Sequence, residues 1–182
     1  MPHPTRQALV DAGLELAAND SLNHLTVDAV VNKAGVAKGT FYVHFHDRTT
    51  FLVELHAQFH DRLLNAILKA TDALPPGAER LRIGTESYLD GCLHEHAVKA
   101  LLLEARSEAP IAAEVQRRNA QFAAIAQDDF ATMGWPDAEA SARLFVVLAA
   151  EAALMELETG HNEAVRRALW RFARIEATST TN

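Results

Sequence analysis

Apolar residues recur along this chain at the three- and four-residue spacing of helices. Leu9, Ala12 and Leu16 make the stripe of a first helix, from about Thr5 to Ala18. Phe51, Leu55, Phe59 and Leu63 mark the inward face of a long helix from Arg48 to about Thr71, which Pro75-Pro76-Gly77 ends. Leu81, Thr85, Tyr88, Leu89 and Cys92 share a face over about Ala78–His94, and a short helix follows over about Ala97–Ser107. Pro110 fits the first turn of the next, whose stripe is Ile111, Val115, Arg118, Phe122 and Ile125 and which runs to about Met133. Gly134-Trp135-Pro136 is a break. Over about Asp137–Thr159 the run from Leu144 to Leu157 is apolar on nearly all sides, the pattern of a helix buried all round. Gly160 terminates it, and a last helix from about Asn162 to Ala177 places Val165, Leu169 and Phe172 on one face and arginines on the other. The tail Thr178–Asn182 is expected to fray.

Between the first helix and the long one lies Leu25–Leu52, LTVDAVVNKAGVAKGTFYVHFHDRTTFL. Thr26 has the side-chain oxygen of a helix N-cap, and Val27, Val30, Val31 and Ala34 then fall on one side of a helical period. Gly35 follows where a turn needs a residue without a Cβ. A second short helix, from Ala37 to about Phe45, opens with Ala37, Lys38, Gly39 and Thr40 and turns Phe41 and Phe45 to a common core. Asp47 can cap the long helix starting at Arg48. Helix, glycine turn and helix with a small polar front is the layout of a helix-turn-helix, whose second helix presents its front to base edges in the major groove. With alanine and leucine dominant and few β-branched runs, the chain is predicted to be all-α, with about nine helices.

The run AGVAKGTFYVHFHDRTTFL resembles the signature of the tetracycline-repressor (TetR) family of bacterial transcription regulators, through Ala34, Gly35, Val36, Lys38, Gly39, Thr40, Phe41, Tyr42, His44, Phe45 and Arg48. Four departures stand out. Ala37 replaces a frequent Ser, which removes one hydroxyl contact to phosphate. Val31 stands where a smaller Ala is usual, Arg48 stands for Lys, and the turn Asn19–Asn23 lacks a frequent Gly. The resemblance implies a DNA-binding domain over residues 1–50 and a ligand-binding and dimerisation domain over 51–182. It places Lys38 and Thr40 at base edges or nearby phosphates, and Gly39 where the backbone approaches the groove. Tyr42 and His44 would donate to phosphates, and Thr26 and Arg48 would grip the DNA backbone from helix N-termini.

Charge changes this picture little. The net charge is −7, of which residues 1–50 carry −1, with His3, His24, His44 and His46 as further potential cations. Specificity is therefore expected from a few placed residues and from dimer geometry rather than from a basic patch. A single cysteine, Cys92, leaves no internal disulfide and fits a reducing cytoplasm. Met1–Arg6 leads straight into a helix, so no signal peptide is expected. No apolar run reaches the ~18 residues of a membrane span.

A helix buried all round near the end of a small chain needs more partner than one subunit supplies. Two copies of the last two helices, packed as a four-helix bundle, would supply it, and the resemblance implies the same homodimer. Two recognition helices related by a two-fold axis would read a palindromic operator in double-stranded DNA. An effector pocket of the kind the family carries would take a small, mainly hydrophobic molecule. Its candidate polar and aromatic contacts are Tyr88, Cys92, His96, Arg118, Phe122 and Glu151. Arg118 and Glu151 could equally pair internally, and Glu151 could lie in the dimer interface. His56 and His60 have a spacing that can hold a metal, but no third ligand is fixed, so neither metal nor cofactor is expected. The chain thus reads as a cytoplasmic homodimeric repressor released from DNA by an effector. The alternatives are a regulator controlled by a protein partner and a helical enzyme. No nucleophile–base pair or phosphate loop supports the last, so no enzyme activity is expected.

Overall fold

The computed structural model describes residues 4–18, 24–95, 98–99 and 109–175. Among these no strand occurs and eight helices are formed. They are α1 (Pro4–Ala17), α2 (Val27–Ala34), α3 (Lys38–His44), α4 (Arg48–Thr71), α5 (Ala78–His94), α6 (Ala109–Thr132), α7 (Ala138–Thr159) and α8 (Glu163–Phe172). The helix expected over Ala97–Ser107 lies outside the described residues except for Val98 and Lys99, which are helical. So do the turn Asn19–Asn23 and the tail from 178. None of the described helices is long and apolar enough to cross a membrane. The chain divides into two compact units, Met1–Asp61 with Glu95–Gln116 and Arg62–His94 with Arg117–Asn182.

In the first unit the expected caps form. Thr26 Oγ1 accepts from the Ala29 N–H at 3.1 Å, and Gly35 ends α2 at φ 68°, which favours a residue without a Cβ. Asp47 Oδ1 accepts from the Thr50 N–H at 2.7 Å and so caps α4, a bond that holds its carboxyl below the usual range. Phe41, Phe45 and Phe51 form a fully buried cluster with ring centroids 5.0–5.4 Å apart. Leu52, Leu55 and Phe59 of α4 continue it. The buried residues of α1 are Leu9, Val10, Ala12, Gly13, Leu14 and Ala17, with Leu16 only half-buried. Gly13 lets α1 lie against α4, since a Cβ there would stand 2.5 Å from Phe51 Cζ. Arg6 closes the cluster, its guanidinium 4.9 Å above the Phe45 ring and hydrogen-bonded to Glu54 at 3.0 and 2.7 Å.

In the second unit Leu81, Thr85, Leu89 and Cys92 of α5 are buried as expected, and α5 packs on α7. Phe130 meets Trp135 and Phe145 edge-on. The carboxylate of Asp129 accepts from Arg80 Nε at 2.6 Å and from the Gly77 N–H at 2.8 Å, which fixes the start of α5.

Two expectations are corrected here. α8 stops at Phe172 rather than continuing to Ala177. Arg174 turns left-handed at φ 55°, the Ile175 N–H reaches back to the Trp170 carbonyl, and the Arg174 guanidinium stacks 4.7 Å above the Trp135 ring. The faces of α8 differ at two positions: Arg166 is buried and Phe172 is 65% exposed, whereas Leu169 is buried and Arg167 and Arg171 are exposed as expected. Arg166 turns inward because Glu156 of α7 is wholly buried and requires a cation. Their bonds are 2.8 and 2.9 Å long, and Arg166 also reaches Asp90 at 2.7 Å. Helix α7 itself is buried within one chain along one side only. Leu144, Val147, Leu148 and Met155 form an apolar stripe facing out.

Candidate nucleic-acid interface and effector site

At 3.6 residues per turn the residues of α3 and its C-cap fall into four rows. Phe41 and Phe45 form the core row. Thr40 and His44 flank it, half-buried. Lys38 and Tyr42 flank it on the other side and are exposed. Gly39 and Val43 lie opposite the core and point directly outward, Val43 being 79% exposed. Ala37 is the N-cap and makes no side-chain cap bond.

Each predicted DNA-facing residue can now be placed. Thr26 is exposed, and its hydroxyl is engaged as the cap of α2. Lys38 Nζ stands 2.8 Å from Asp28 Oδ1 in the first turn of α2, and this bond raises the pKa of the ammonium above its ordinary value. Gly39 has a negative φ, and apart from its own helix backbone and chain neighbours no atom of the described residues lies within 4 Å of where its Cβ would be, so nothing among the described residues requires a glycine. Tyr42 leans edge-on against Phe41, with centroids 5.4 Å apart, and remains 52% exposed. Arg48 Nε donates to the Leu25 carbonyl at 2.9 Å, tying the start of α4 to the start of α2. Two residues of this surface were not singled out from the sequence, Asp28 and Val43. Helical phase could have found Val43, since it sits two residues from each buried phenylalanine and therefore off their face.

The candidate effector residues separate. Tyr88 and Phe122 meet, with ring centroids 5.9 Å apart. Cys92 is fully buried on α5, and Arg118 is buried on α6 and donates to Gln121 Oε1 at 3.3 Å. His96 lies outside the described residues. Glu151 is exposed on α7, in phase with Leu144, Leu148 and Met155. The inward acid of α7 is Glu156, which sequence reasoning missed. Burial opposes its ionisation, but Arg166 and the Asn162 N–H more than offset this and hold the carboxyl below its ordinary value. His56 and His60 are buried and stacked at 4.1 Å. His60 Nδ1 lies 3.0 Å from the His56 carbonyl, which can only accept, so that nitrogen carries the proton. Among the described residues no group of three or more His, Cys, Asp or Glu could hold a metal ion.

Comparison with known proteins gives this geometry its context. Residues 9–55 match the family described as bacterial regulatory proteins, tetR family. A Haemophilus influenzae protein named an uncharacterized HTH-type transcriptional regulator is 28% identical over 104 residues. The match covers 57% of this chain and 51% of the relative, so the chain spans about half the length of that relative. Among solved structures, a transcriptional regulator from Rhodococcus sp. RHA1 superposes with a TM-score of 0.78 at 22% identity, over 93% of this chain and 94% of its own. A TetR-like transcriptional regulator from the same organism gives 0.69 at 20%, over 96% of each chain. The fatty acid degradation regulator FadR from Bacillus halodurans gives 0.73 at 14%, over 98% of each. These structures share the fold along nearly the whole chain. Over residues 9–55, its helix-turn-helix, the chain is thus similar to the tetR family of bacterial regulatory proteins.

Proposed function

We propose that this regulator is a cytoplasmic, non-enzymatic homodimeric repressor. In this reading it holds a palindromic operator with the outward rows of α3 and leaves it when a small, mainly hydrophobic effector binds. The observation that carries the reading is the division of α3. One row, Phe41 and Phe45, is spent on the core, while Lys38, Gly39, Tyr42 and Val43 stand exposed. Lys38 and Thr40 would meet base edges or adjacent phosphates, and Tyr42 and His44 would donate to phosphate oxygens. Gly39 would let the backbone approach. Thr26 and Arg48 would grip the DNA backbone from helix N-termini, while one also caps α2 and the other holds its start. Residues 1–50 form the reading head, and the remainder serves association and effector binding.

Dimerisation is supported by the outward stripe of Leu144, Val147, Leu148 and Met155 on α7 and by Phe172 on α8. Exposed together, such side chains leave an apolar face that a second copy would cover. Glu151 belongs with that stripe. For the effector, Tyr88, Cys92 and Phe122 would supply apolar contact and Arg118 a polar handle, with His96 nearby in the chain. Release requires that the effector bind more tightly to the conformation whose reading heads no longer match the operator spacing.

The test is selection from random duplex DNA at near-physiological salt, comparing wild type with Lys38→Ala and Tyr42→Phe. A palindromic site retained by wild type and lost with Lys38→Ala is expected. Tyr42→Phe should weaken all sequences alike, as a phosphate contact does. No enrichment by a folded dimer would refute the reading of α3.

A further inference from the structure

We infer that Val43, one turn beyond Gly39 on the outermost row of α3, reads the C5-methyl group of a thymine in the major groove. The inference rests on the DNA-reading role proposed above for α3. Val43 is more exposed than any other large apolar side chain described, 79% against 69% for Leu144 and 65% for Phe172. Folding gives no reason for it. Valine is a weaker helix former than alanine or lysine, and an exposed isopropyl group gains nothing from burial. Gly39 in the same row is similarly unexplained, since a Cβ there meets nothing within 4 Å and its φ is not positive. Two residues that both disfavour the helix thus stand four apart, opposite the Phe41–Phe45 row, at the part of α3 that would enter a groove first.

The chemistry of this row limits what it can recognise. Glycine and valine side chains neither donate nor accept hydrogen bonds. Of the groups displayed in the major groove, only the thymine methyl is apolar; the others are donors or acceptors that an isopropyl group would desolvate without replacement. Adjacent i and i+4 positions lie about 5–6 Å apart, so the missing side chain at Gly39 leaves a step beside Val43 about one methyl group deep. Valine in a helix is held almost entirely in one χ1 rotamer, so the contact surface is ordered before DNA arrives. The Lys38–Tyr42 row runs alongside, with an ammonium and a phenol suited to phosphates. Polar readout and phosphate contact would therefore fall to the flanking rows, and thymine recognition to the outermost one.

The experiment uses the full chain and the operator recovered by the selection above. Each thymine is replaced in turn by deoxyuridine, which removes only the methyl group, and affinity is read by fluorescence anisotropy. For wild type, one thymine per half-site should stand out. Loss of one buried methyl weakens binding about four-fold, and substitution in both half-sites about fifteen-fold. Val43→Ala should bind the thymine and uracil forms equally at that position, and Val43→Thr, which keeps one methyl, should show part of the difference. Neither variant should lose thermal stability, because the side chain is largely exposed, and Val43→Ala should unfold slightly higher, since alanine is the better helix former. An operator in which no thymine-to-uracil change matters to wild type overturns the inference, as does a uracil penalty that survives Val43→Ala. If wild type retains no palindrome at all, the DNA-reading assignment of α3 fails and the inference falls with it. If a palindrome is retained and lost with Lys38→Ala but is blind to uracil, only the role of Val43 is wrong.

Discussion

Removing the Glu156 charge tests the internal organisation of the second unit. Glu156 is wholly buried between α7 and α8. It accepts two bonds from Arg166 and one from the Asn162 N–H, so Asn162 is held as the N-cap of α8 by the same carboxylate. Breaking a buried pair by deleting one partner costs about 3–5 kcal/mol, because the other charge is left buried. Here Arg166 keeps Asp90, whose side chain is largely exposed and so compensates only in part. The expected loss for Glu156→Gln is therefore about 2–3 kcal/mol, since the amide oxygen still accepts one bond. Urea unfolding at fixed protein concentration measures it, with Arg166→Met and the double variant completing a cycle. The double variant should cost less than the sum of the singles, with a coupling of about 2 kcal/mol.

The pH dependence supplies an independent sign. The Glu156 carboxyl is held below its unfolded value, so its stabilisation is complete above about pH 4.3 and is lost as pH falls through the folded pKa. The gap between wild type and Glu156→Gln should thus narrow from pH 7 to pH 3. Glu54 and Asp47 are also held low, by Arg6 and by Thr50, so the acid midpoint alone is uninformative and only the difference between variants isolates Glu156. A gap that stays constant with pH, or a coupling near zero, would refute the pairing.

Other substitutions probe the first unit. Gly39→Ala should stabilise the fold by about 0.5–1 kcal/mol in thermal unfolding while weakening operator binding, because the new methyl occupies open space on the groove-facing row. Asp28→Asn should free Lys38 from its 2.8 Å partner and remove a negative charge beside the phosphates. Non-specific DNA should then bind several-fold more tightly, with the salt slope steeper by about one contact per reading head. Gly13→Ala places a Cβ 2.5 Å from the buried Phe51 ring and should cost about 1–3 kcal/mol in urea unfolding. For self-association, Leu148→Glu should leave the secondary structure by circular dichroism unchanged and lower the mass seen in sedimentation.

What was legible in the sequence was what local chemistry determines. Thr26, Gly35 and Asp47 cap or end helices through bonds to residues within four positions, and each appears as expected. The Phe51–Leu55–Phe59–Leu63 face of α4 followed from periodicity, because the stripe is long and unambiguous. The missed features depend on partners far along the chain. Glu151 and Glu156 lie in the same apolar run, five residues and therefore about 140° apart on the helix. Which of them turns inward is decided by the phase of α7 against α5 and α8, through Arg166 and Asp90. The same pairing buries Arg166 and Phe172 stays outside, while Leu169 is buried and Arg167 and Arg171 are exposed as polarity alone leads one to expect. Lys38 was legible as a cation on α3, but its link to Asp28 needed the turn between α2 and α3 in three dimensions.

The rows of α3 also say how such a regulator can change what it reads. Stability of the helix in its unit rests on Phe41 and Phe45, which meet Phe51 and are sealed by Arg6. The row opposite carries none of that packing, so a substitution at position 43 alters the surface offered to DNA without opening the core. Gly39 would add the complementary constraint, since on the reading proposed for α3 any side chain there raises the helix off the groove even as it strengthens the helix. On that reading, recognition and folding would thus fall to opposite sides of a helix only seven residues long. On the proposal for Val43, a change there would alter specificity without disturbing the core, whereas any change at Phe41 must be matched on α4.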